Sequence, residues 1–276
     1  MRLAVALVLV SLPVHSPAQE PDLTTALMTS TAKIEAQGSL GTGFLLGQPL
    51  AGDPTRAAYV FVTAAHVLAE SKSGVAVLHL RKRAGNGFGR LPVKIQIRAG
   101  GKPLWTQHPT ADVAVMRLKL PEDAHLLLAP TDLLASDDRL RQLAVGPGEE
   151  LLVLGFPFGA ESSAAGFPIL RSGRIASYPL LPAKEVKTFL MDFQVFKGNS
   201  GGPVFLMSKP RAGSGTGAAV PVLSLVGLVS QEQQFRERIQ SLAEITVRNH
   251  RMGLAVVVHA HFIRETIDLL PPFIAR

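Results

Sequence analysis

A glycine-rich turn at residues 198–203 carries a serine that could act as a nucleophile. Glycines on both sides of Ser200 permit backbone angles that other residues resist, so a tight turn can expose the hydroxyl and point successive N–H groups in one direction. Such N–H groups stabilise a developing oxyanion, and each lowers the barrier by about 3 kcal/mol. Glycine- and serine-rich turns also occur as plain connections, but the strand-like segments on both sides, 192–196 and 204–206, favour the catalytic interpretation.

A histidine and an aspartate elsewhere in the chain could complete this chemistry. His66 follows an apolar, strand-like segment and has small neighbours, which leave room for an imidazole. Asp112 stands at the start of another apolar segment. Each alone has an ordinary explanation, the histidine as a satisfied core residue and the aspartate as a turn or capping residue. Together with Ser200 they supply a general base, a group that orients it and a nucleophile, in the chain order His, Asp, Ser.

Short strand-like segments separated by glycine and proline fill most of the chain and would position these residues. Residues 93–98 show the period-two alternation of a half-buried strand. The segments are 33–37, 43–46, 59–63, 75–80, 93–98 and 113–118 in the first half, and 150–155, 169–177, 188–193, 203–206, 222–229 and 254–259 in the second. Two sets of six predict an all-β chain with two six-stranded antiparallel barrels. The predicted N-terminal barrel (19–120) carries His66 and Asp112, and a connection (121–145) leads to a C-terminal barrel (146–276) that carries Ser200.

Two segments have helical periodicity instead. Residues 262–270 form an amphipathic pattern that two prolines end, which predicts a C-terminal helix. Residues 231–245 place Phe235, Ile239, Leu242 and Ile245 on one helical face, which predicts a helical insertion. This insertion could lie over the substrate cleft as a lid, or pack on the outside of the barrel.

Composition excludes several classes of protein. The 276 residues are 47% hydrophobic and only 18% charged, against a typical charged share of about 25%, so the chain is neither disordered nor a coiled coil. The absence of cysteine excludes a disulfide scaffold, a cysteine nucleophile and thiolate metal sites. His259 and His261 share a face of a predicted strand, but no third ligand is near them in sequence, so we predict no metal and no cofactor.

The first 18 residues have the design of a secretory signal: a basic start, an apolar run and small residues at 16 and 18, ahead of a cut before Gln19. A membrane anchor is the alternative, but spanning needs about 20 apolar residues and this run is shorter. We therefore predict an exported, periplasmic or secreted bacterial protein with no membrane span after cleavage.

Net charge is +7, and the excess concentrates in a basic stripe at residues 72–102, which contains no acid. Such a stripe could attract an anionic partner, or it could be the solvated face of two hairpins. No nucleic-acid-binding motif accompanies it, so we expect no nucleic-acid partner. The oligomeric state has no signature in the sequence.

The segments around His66, Asp112 and Ser200 resemble the signatures of trypsin-like serine proteases, whose triad follows the same chain order. The segments are 62–67, 108–118 and 198–204. Four others resemble the bacterial HtrA-type protease domain, at 41–44, 153–159, 172–177 and 225–230. The resemblance spans about residues 33–270 and implies two perpendicular barrels of the chymotrypsin type with the active site between them.

The resemblance also implies roles for individual residues. Ser200 would attack a peptide carbonyl, His66 would move its proton and Asp112 would orient His66. The N–H groups of Gly198 and Ser200 would form the oxyanion hole. Polypeptides would be the substrates, and the site residues that meet them would be Gln194, Val195 and Ser230.

The chain departs from the family in three respects. HtrA-type proteases usually carry a PDZ domain after the protease domain, and we expect none here. Asn199 replaces the aspartate that pairs with a new N-terminus in digestive proteases, so activation by that ion pair is not expected. Neutral Gln194 favours small or medium apolar side chains over lysine or arginine. Two other functions stay open: a non-catalytic binding or chaperone-like protein on this fold, and an esterase that uses the same triad.

Overall fold

The computed structural model describes residues 23–50, 53–208, 222–240 and 245–271. The predicted signal segment lies outside the described residues. The strands of the first half are β1 (Thr31–Ala36), β2 (Ser39–Leu50), β3 (Asp53–Thr63), β4 (Val75–Ala84), β5 (Gly87–Gln96), β6 (Arg98–Ala99), β7 (Lys102–Pro103), β8 (Thr106–Gln107), β9 (Ala114–Leu118) and β10 (Ala129–Pro130). Those of the second half are β11 (Glu150–Gly155), β12 (Ile169–Ile175), β13 (Thr188–Asp192), β14 (Pro203–Ser208), β15 (Val222–Gln240) and β16 (Ile245–His259). The α-helices are α1 (Leu23–Ser30), α2 (Ala65–Ala69), α3 (Asp137–Gln142), α4 (Ala183–Val186) and α5 (Ala260–Asp268).

The first half forms one sheet in the order β5-β4-β1-β2-β3-β9-β8, with β10 parallel to β2. All six strands predicted for this half are present. The sheet differs from the predicted barrel because, in the described part of the chain, no ladder joins β5 to β9. At Ile97 the chain turns away: its N–H binds the carbonyl of Gly74, and β6 and β7 then form a separate hairpin.

The second half closes into a barrel in the order β11-β12-β13-β16-β15-β14, which confirms the predicted six-stranded barrel. Alternation along β11 explains how this barrel joins the first sheet. Leu151 and Val153 point into the barrel core, whereas Leu154 belongs to the core shared with the first sheet. Strands apolar on both faces thus build the barrel and the interface together.

The predicted helix at 231–245 is wrong. Strand β15 continues through Gln240 and pairs antiparallel with β16 from Val229↔Val257 to Gln240↔Ile245. A helix would have spread these polar side chains over one face. In the two strands they pair with each other instead: Glu237 lies 2.8 Å from His250, and Glu232 lies 3.4 Å from Arg251. The described residues of this segment therefore form no lid helix but belong to two paired strands that extend the barrel.

The predicted C-terminal helix is confirmed as α5, displaced by two residues toward the N-terminus. Its buried face packs into the core shared by the two halves, through Ala260, Phe262, Ile263, Thr266 and Ile267. Among the described residues, no helix has the length and apolar character needed to cross a membrane.

Candidate active site

His66 and Asp112 meet at the junction of the two halves. His66 stands in the first turn of α2, directly after β3, and Asp112 lies just before β9, the neighbour of β3. The imidazole Nδ1 lies 2.7 Å from Asp112 Oδ2, and the His66 main-chain N–H donates to Oδ1 at 3.0 Å. One carboxylate thus holds both the backbone and the ring of His66.

A third donor reaches the same carboxylate. Ser230 Oγ donates to Asp112 Oδ2 at 2.6 Å from β15, in the second half of the chain. Burial acts to raise the pKa of Asp112, but the hydrogen bonds from His66 and Ser230 outweigh it, so the pKa lies below its usual value. Ser230, predicted to meet substrate, therefore has Asp112 as its side-chain partner.

The same pair controls the basicity of His66. Burial lowers the pKa of His66, but the hydrogen bond and charge of Asp112, together with the charge of Glu70, raise it above the ordinary value. With Nδ1 directed at a carboxylate, the favoured neutral tautomer carries its proton on Nδ1 and leaves Nε2 free to accept one. A general base needs that tautomer.

Ser200 lies on a turn that only glycine permits at two positions. Gly198 and Gly201 have φ angles of +98° and +85°. A Cβ at Gly198 would collide with the carbonyl of Phe156, and a Cβ at Gly201 would collide with the carbonyl of Thr42. The turn therefore packs closely against the first half at Thr42 and against the second half at Phe156, and these two contacts fix its position.

Thr42 ties this turn to the first sheet. Its N–H donates to the carbonyl of Ser200 at 2.8 Å, and its hydroxyl donates to the carbonyl of Gly198 at 2.6 Å. A Cβ at neighbouring Gly41 would contact both Val67, which follows His66, and the carbonyl of Ser200. The structure thus brings the helix that carries His66 and the turn that carries Ser200 together on either side of Gly41.

The peptide before Gly198 is oriented as an anion site requires. The carbonyl of Lys197 accepts a hydrogen bond from Phe158 N–H at 2.6 Å. In a trans peptide the N–H points opposite to the carbonyl, so the N–H of Gly198 points away from Phe158. Across the described ranges, the N–H groups of Gly198 and Ser200 have no protein acceptor. Two unpaired donors on one turn, on either side of Asn199, can stabilise an oxyanion.

The two residues predicted near the specificity pocket differ in exposure. Gln194 is exposed and its carbonyl accepts from Arg171 at 2.9 Å, whereas Val195 is buried in the second barrel core. A cavity of about 510 Å³ lies on the Asp112 side of the site. Its lining includes Thr110, Ala111 and Asp112 from the first half, and Lys187, Ser230 and Gln231 from the second.

The two histidines considered for a metal lie on different elements. His259 ends β16 and is buried, whereas His261 lies in α5 and binds Glu265 at 3.1 Å, so the two do not share a strand face. In the part of the chain that the structure describes, no cluster of three or more potential ligands could hold a metal ion.

Much of the basic stripe has partners within the fold. Arg81 is fully buried and donates to main-chain carbonyls, including that of Thr31 at 2.7 Å. Arg90 pairs with Glu161, and Arg98 donates to the carbonyl of Leu68 at 2.9 Å. These contacts leave fewer charges for an anionic partner, which stays a prediction.

Comparison with known proteins finds one matching family model and similar solved structures. A family model for the trypsin-like peptidase domain matches residues 41–209, more than half of the chain. Among solved structures, Rv3671c of M. tuberculosis H37Rv, crystallised as an inactive serine-to-alanine mutant, is similar with 17% identity and a TM-score of 0.45, over 94% of this chain and 96% of that one. No curated protein matches the sequence.

The closed barrel, the first sheet and the C-terminal helix define a chymotrypsin-like β protein. The chain belongs to the trypsin-like peptidase family.

Thr42 lies in the segment 41–44 that resembles HtrA-type proteases, but no feature of the sequence predicts a role for it. Its contacts with the Ser200 turn join residues 156 positions apart in the chain. A threonine in a strand has no local feature that announces such a contact, because the partner is set by how the two halves pack.

Proposed function

We propose that this protein is an exported serine endopeptidase that hydrolyses peptide bonds through Ser200, His66 and Asp112. The observation that carries the proposal is the 2.7 Å contact between His66 Nδ1 and Asp112 Oδ2, beside a serine turn with two unpaired N–H donors. Membership of the trypsin-like peptidase family supports it.

The reaction proceeds in two acyl transfers. Ser200 Oγ attacks the peptide carbonyl carbon while His66 Nε2 takes the hydroxyl proton, and the N–H groups of Gly198 and Ser200 stabilise the oxyanion. The imidazolium, stabilised by Asp112, then gives its proton to the leaving amine as the C–N bond breaks. Water attacks the resulting ester by the same route, which releases the acid and restores Ser200. The substrate chain passes the cavity lined by Ala111, Ser230 and Gln231.

Labelling with a fluorophosphonate probe tests the nucleophile. The protein is expected to react covalently with the probe and to digest casein, and Ser200→Ala should abolish both without lowering the melting temperature. Ser162→Ala, on the loop between β11 and β12, is the matched control and should behave like the parent.

The outcomes separate the three functions. Labelling with ester hydrolysis but no casein digestion would favour the esterase. A folded parent that neither labels nor hydrolyses would favour the binding protein. Labelling of the Ser200→Ala variant at the parental rate would exclude Ser200 as the nucleophile.

Export rests on the design of residues 1–18 alone. Expression of the full chain in a bacterium should give a product outside the cytoplasm that begins at Gln19. N-terminal sequencing of the fractionated product is the test, and an uncut cytoplasmic chain would contradict this part of the proposal.

A further inference from the structure

A buried histidine outside the triad holds the loop that carries Asp112. His108 lies between β8 and β9 and is only 7% exposed. Its Nδ1 accepts hydrogen bonds from two main-chain groups, Thr110 N–H at 3.2 Å and Ala111 N–H at 3.0 Å. The main-chain N–H of His108 donates to the carbonyl of Val113 at 3.0 Å, which closes the loop around Asp112.

These contacts determine the protonation of the ring. Both N–H groups are obligatory donors, so His108 Nδ1 must be an acceptor and the ring proton must sit on Nε2. That Nε2 lies 3.1 Å from Glu265 Oε2 on α5, and the ring packs edge-on against Phe262 with centroids 5.0 Å apart. Glu265 therefore selects the tautomer that leaves Nδ1 free to accept.

Glu265 is itself held in place. Its other oxygen, Oε1, lies 3.1 Å from His261 Nε2 and 3.9 Å from Lys184 Nζ. Burial acts to raise the pKa of Glu265, but the hydrogen bond from His108, together with the neighbouring His261 and Lys184, lowers it below the usual value. The C-terminal helix thus presents an ionised carboxylate to His108.

The loop has a direct bearing on the active site. Thr110 and Ala111 precede Asp112 in the chain, and all three line the cavity beside the triad. Without an acceptor at His108, the main-chain N–H groups of exposed Thr110 and half-buried Ala111, which lead into Asp112, would lose their protein partner. The loop would then shift to find other partners, and Asp112 would move with it.

We propose that His108, oriented by Glu265, is a positioning residue for Asp112 and for the adjacent wall of the substrate cavity. The catalytic part of this inference rests on the proposed function. His108 acts on the reaction only through the loop, because its polar atoms contact Glu265 and main-chain groups.

The test compares two substitutions of His108, one that keeps the ring and one that keeps the hydrogen-bond acceptor. His108→Phe keeps a ring in the buried site but removes the acceptor, whereas His108→Asn removes the ring but retains an oxygen that can accept from residues two and three positions ahead. A displacement of about 1 Å at a catalytic group costs on the order of 100-fold in rate. We expect His108→Phe to lower kcat about 100-fold, and His108→Asn to stay within about tenfold of the parent.

A double substitution distinguishes positioning from general structural damage. If His108 acts through Asp112, His108→Phe should cost little further kcat once Asp112→Asn is present. A full 100-fold loss in that background would overturn the proposal, as would parental kcat in the folded single variant.

A second readout does not depend on catalysis. Amide hydrogen exchange at Thr110 and Ala111 should accelerate in His108→Phe and stay slow in His108→Asn. If the parent proves inactive, the proposed function fails but this exchange pattern still decides the role of His108. If His108→Phe does not fold, Glu265→Leu removes the tautomer selection from a partly exposed position and should give the same exchange pattern, and unchanged exchange would refute the inference.

Discussion

Replacing Asp112 by asparagine changes one atom of the carboxylate and should reverse the tautomer of His66. Asp112 Oδ1 accepts from the main-chain N–H of His66, and Oδ2 faces both His66 Nδ1 and Ser230 Oγ. If the amide oxygen stays opposite the His66 N–H, the NH₂ group faces Nδ1, which must then become an acceptor. The ring proton moves to Nε2, where the proton of Ser200 has to go.

The opposite orientation of the side-chain amide in Asp112→Asn has a higher free energy. It would set the NH₂ group against the His66 N–H and leave that donor unpaired, at a cost of about 1–3 kcal/mol. The productive tautomer then falls to between roughly a tenth and a hundredth of the population, at 1.4 kcal/mol per tenfold. Loss of the charge that stabilises the imidazolium adds a comparable factor. The two factors multiply to a rate loss of about 10² to 10⁴, or about 3 to 5 kcal/mol of barrier, and the upper end is the loss known for this substitution in a Ser-His-Asp triad.

The measurement is kcat for a fluorogenic peptide and for an activated ester. Asp123→Asn is the matched control, since it makes the same chemical change at an exposed carboxylate that contacts Lys82 at 3.7 Å, and it should retain parental rates. A folded Asp112→Asn variant with kcat within tenfold of the parent would show that Asp112 only shapes the loop, and the tautomer argument would be wrong.

Three further predictions concern pH and backbone geometry. Because the pKa of His66 lies above its ordinary value and only neutral His66 can accept a proton, kcat/KM should rise with pH through an apparent pKa above 6.5, and a midpoint below 6 would contradict the assignment. Burial lowers the pKa of His259 to about 4, so only the unfolded chain binds a proton at this residue between pH 6.5 and 4, and stability should fall by about 3 kcal/mol across that range. Urea denaturation at both pH values should show a smaller loss in His259→Gln, and an equal loss would refute the role of His259. Gly201 and Gly38 share a φ of +85°, but only at Gly201 would a Cβ strike the carbonyl of Thr42, so Gly201→Ala should abolish probe labelling while Gly38→Ala, with open space around it, should cost only about 1 kcal/mol and label normally.

The strands could be predicted because alternation is visible along a single stretch of chain. The strand predicted at residues 150–155 is β11, with the same bounds. Its apolar residues pack in the barrel core on one face and in the core shared with the first sheet on the other. Residues 231–245 misled the prediction, because Phe235 and Ile239 are four apart, as in a helix, and also an even number apart, as on one face of a strand. Pairing with β16 decided between the two, and most of that strand lies beyond residue 245, outside the segment whose pattern was read.

The residues of the candidate site could also be identified from the sequence. Glycines around Ser200, small residues around His66 and an apolar strand after Asp112 are local features. They indicated which chemistry the chain could perform, because a side chain's acid–base and nucleophilic properties belong to the residue itself.

Local patterns did not reveal the contacts that set those residues in place. Thr42 reaches Gly198 across 156 positions, Ser230 reaches Asp112 across 118, and Glu265 reaches His108 across 157. The sequence by itself determined most of the long strands, the C-terminal helix and the reactive groups, because periodicity and side-chain chemistry are properties of short segments. Only the tertiary structure decided which oxygen each hydrogen bond meets, because a hydrogen bond forms within about 3 Å and only the packing of the two halves and of the C-terminal helix brings such distant residues that close.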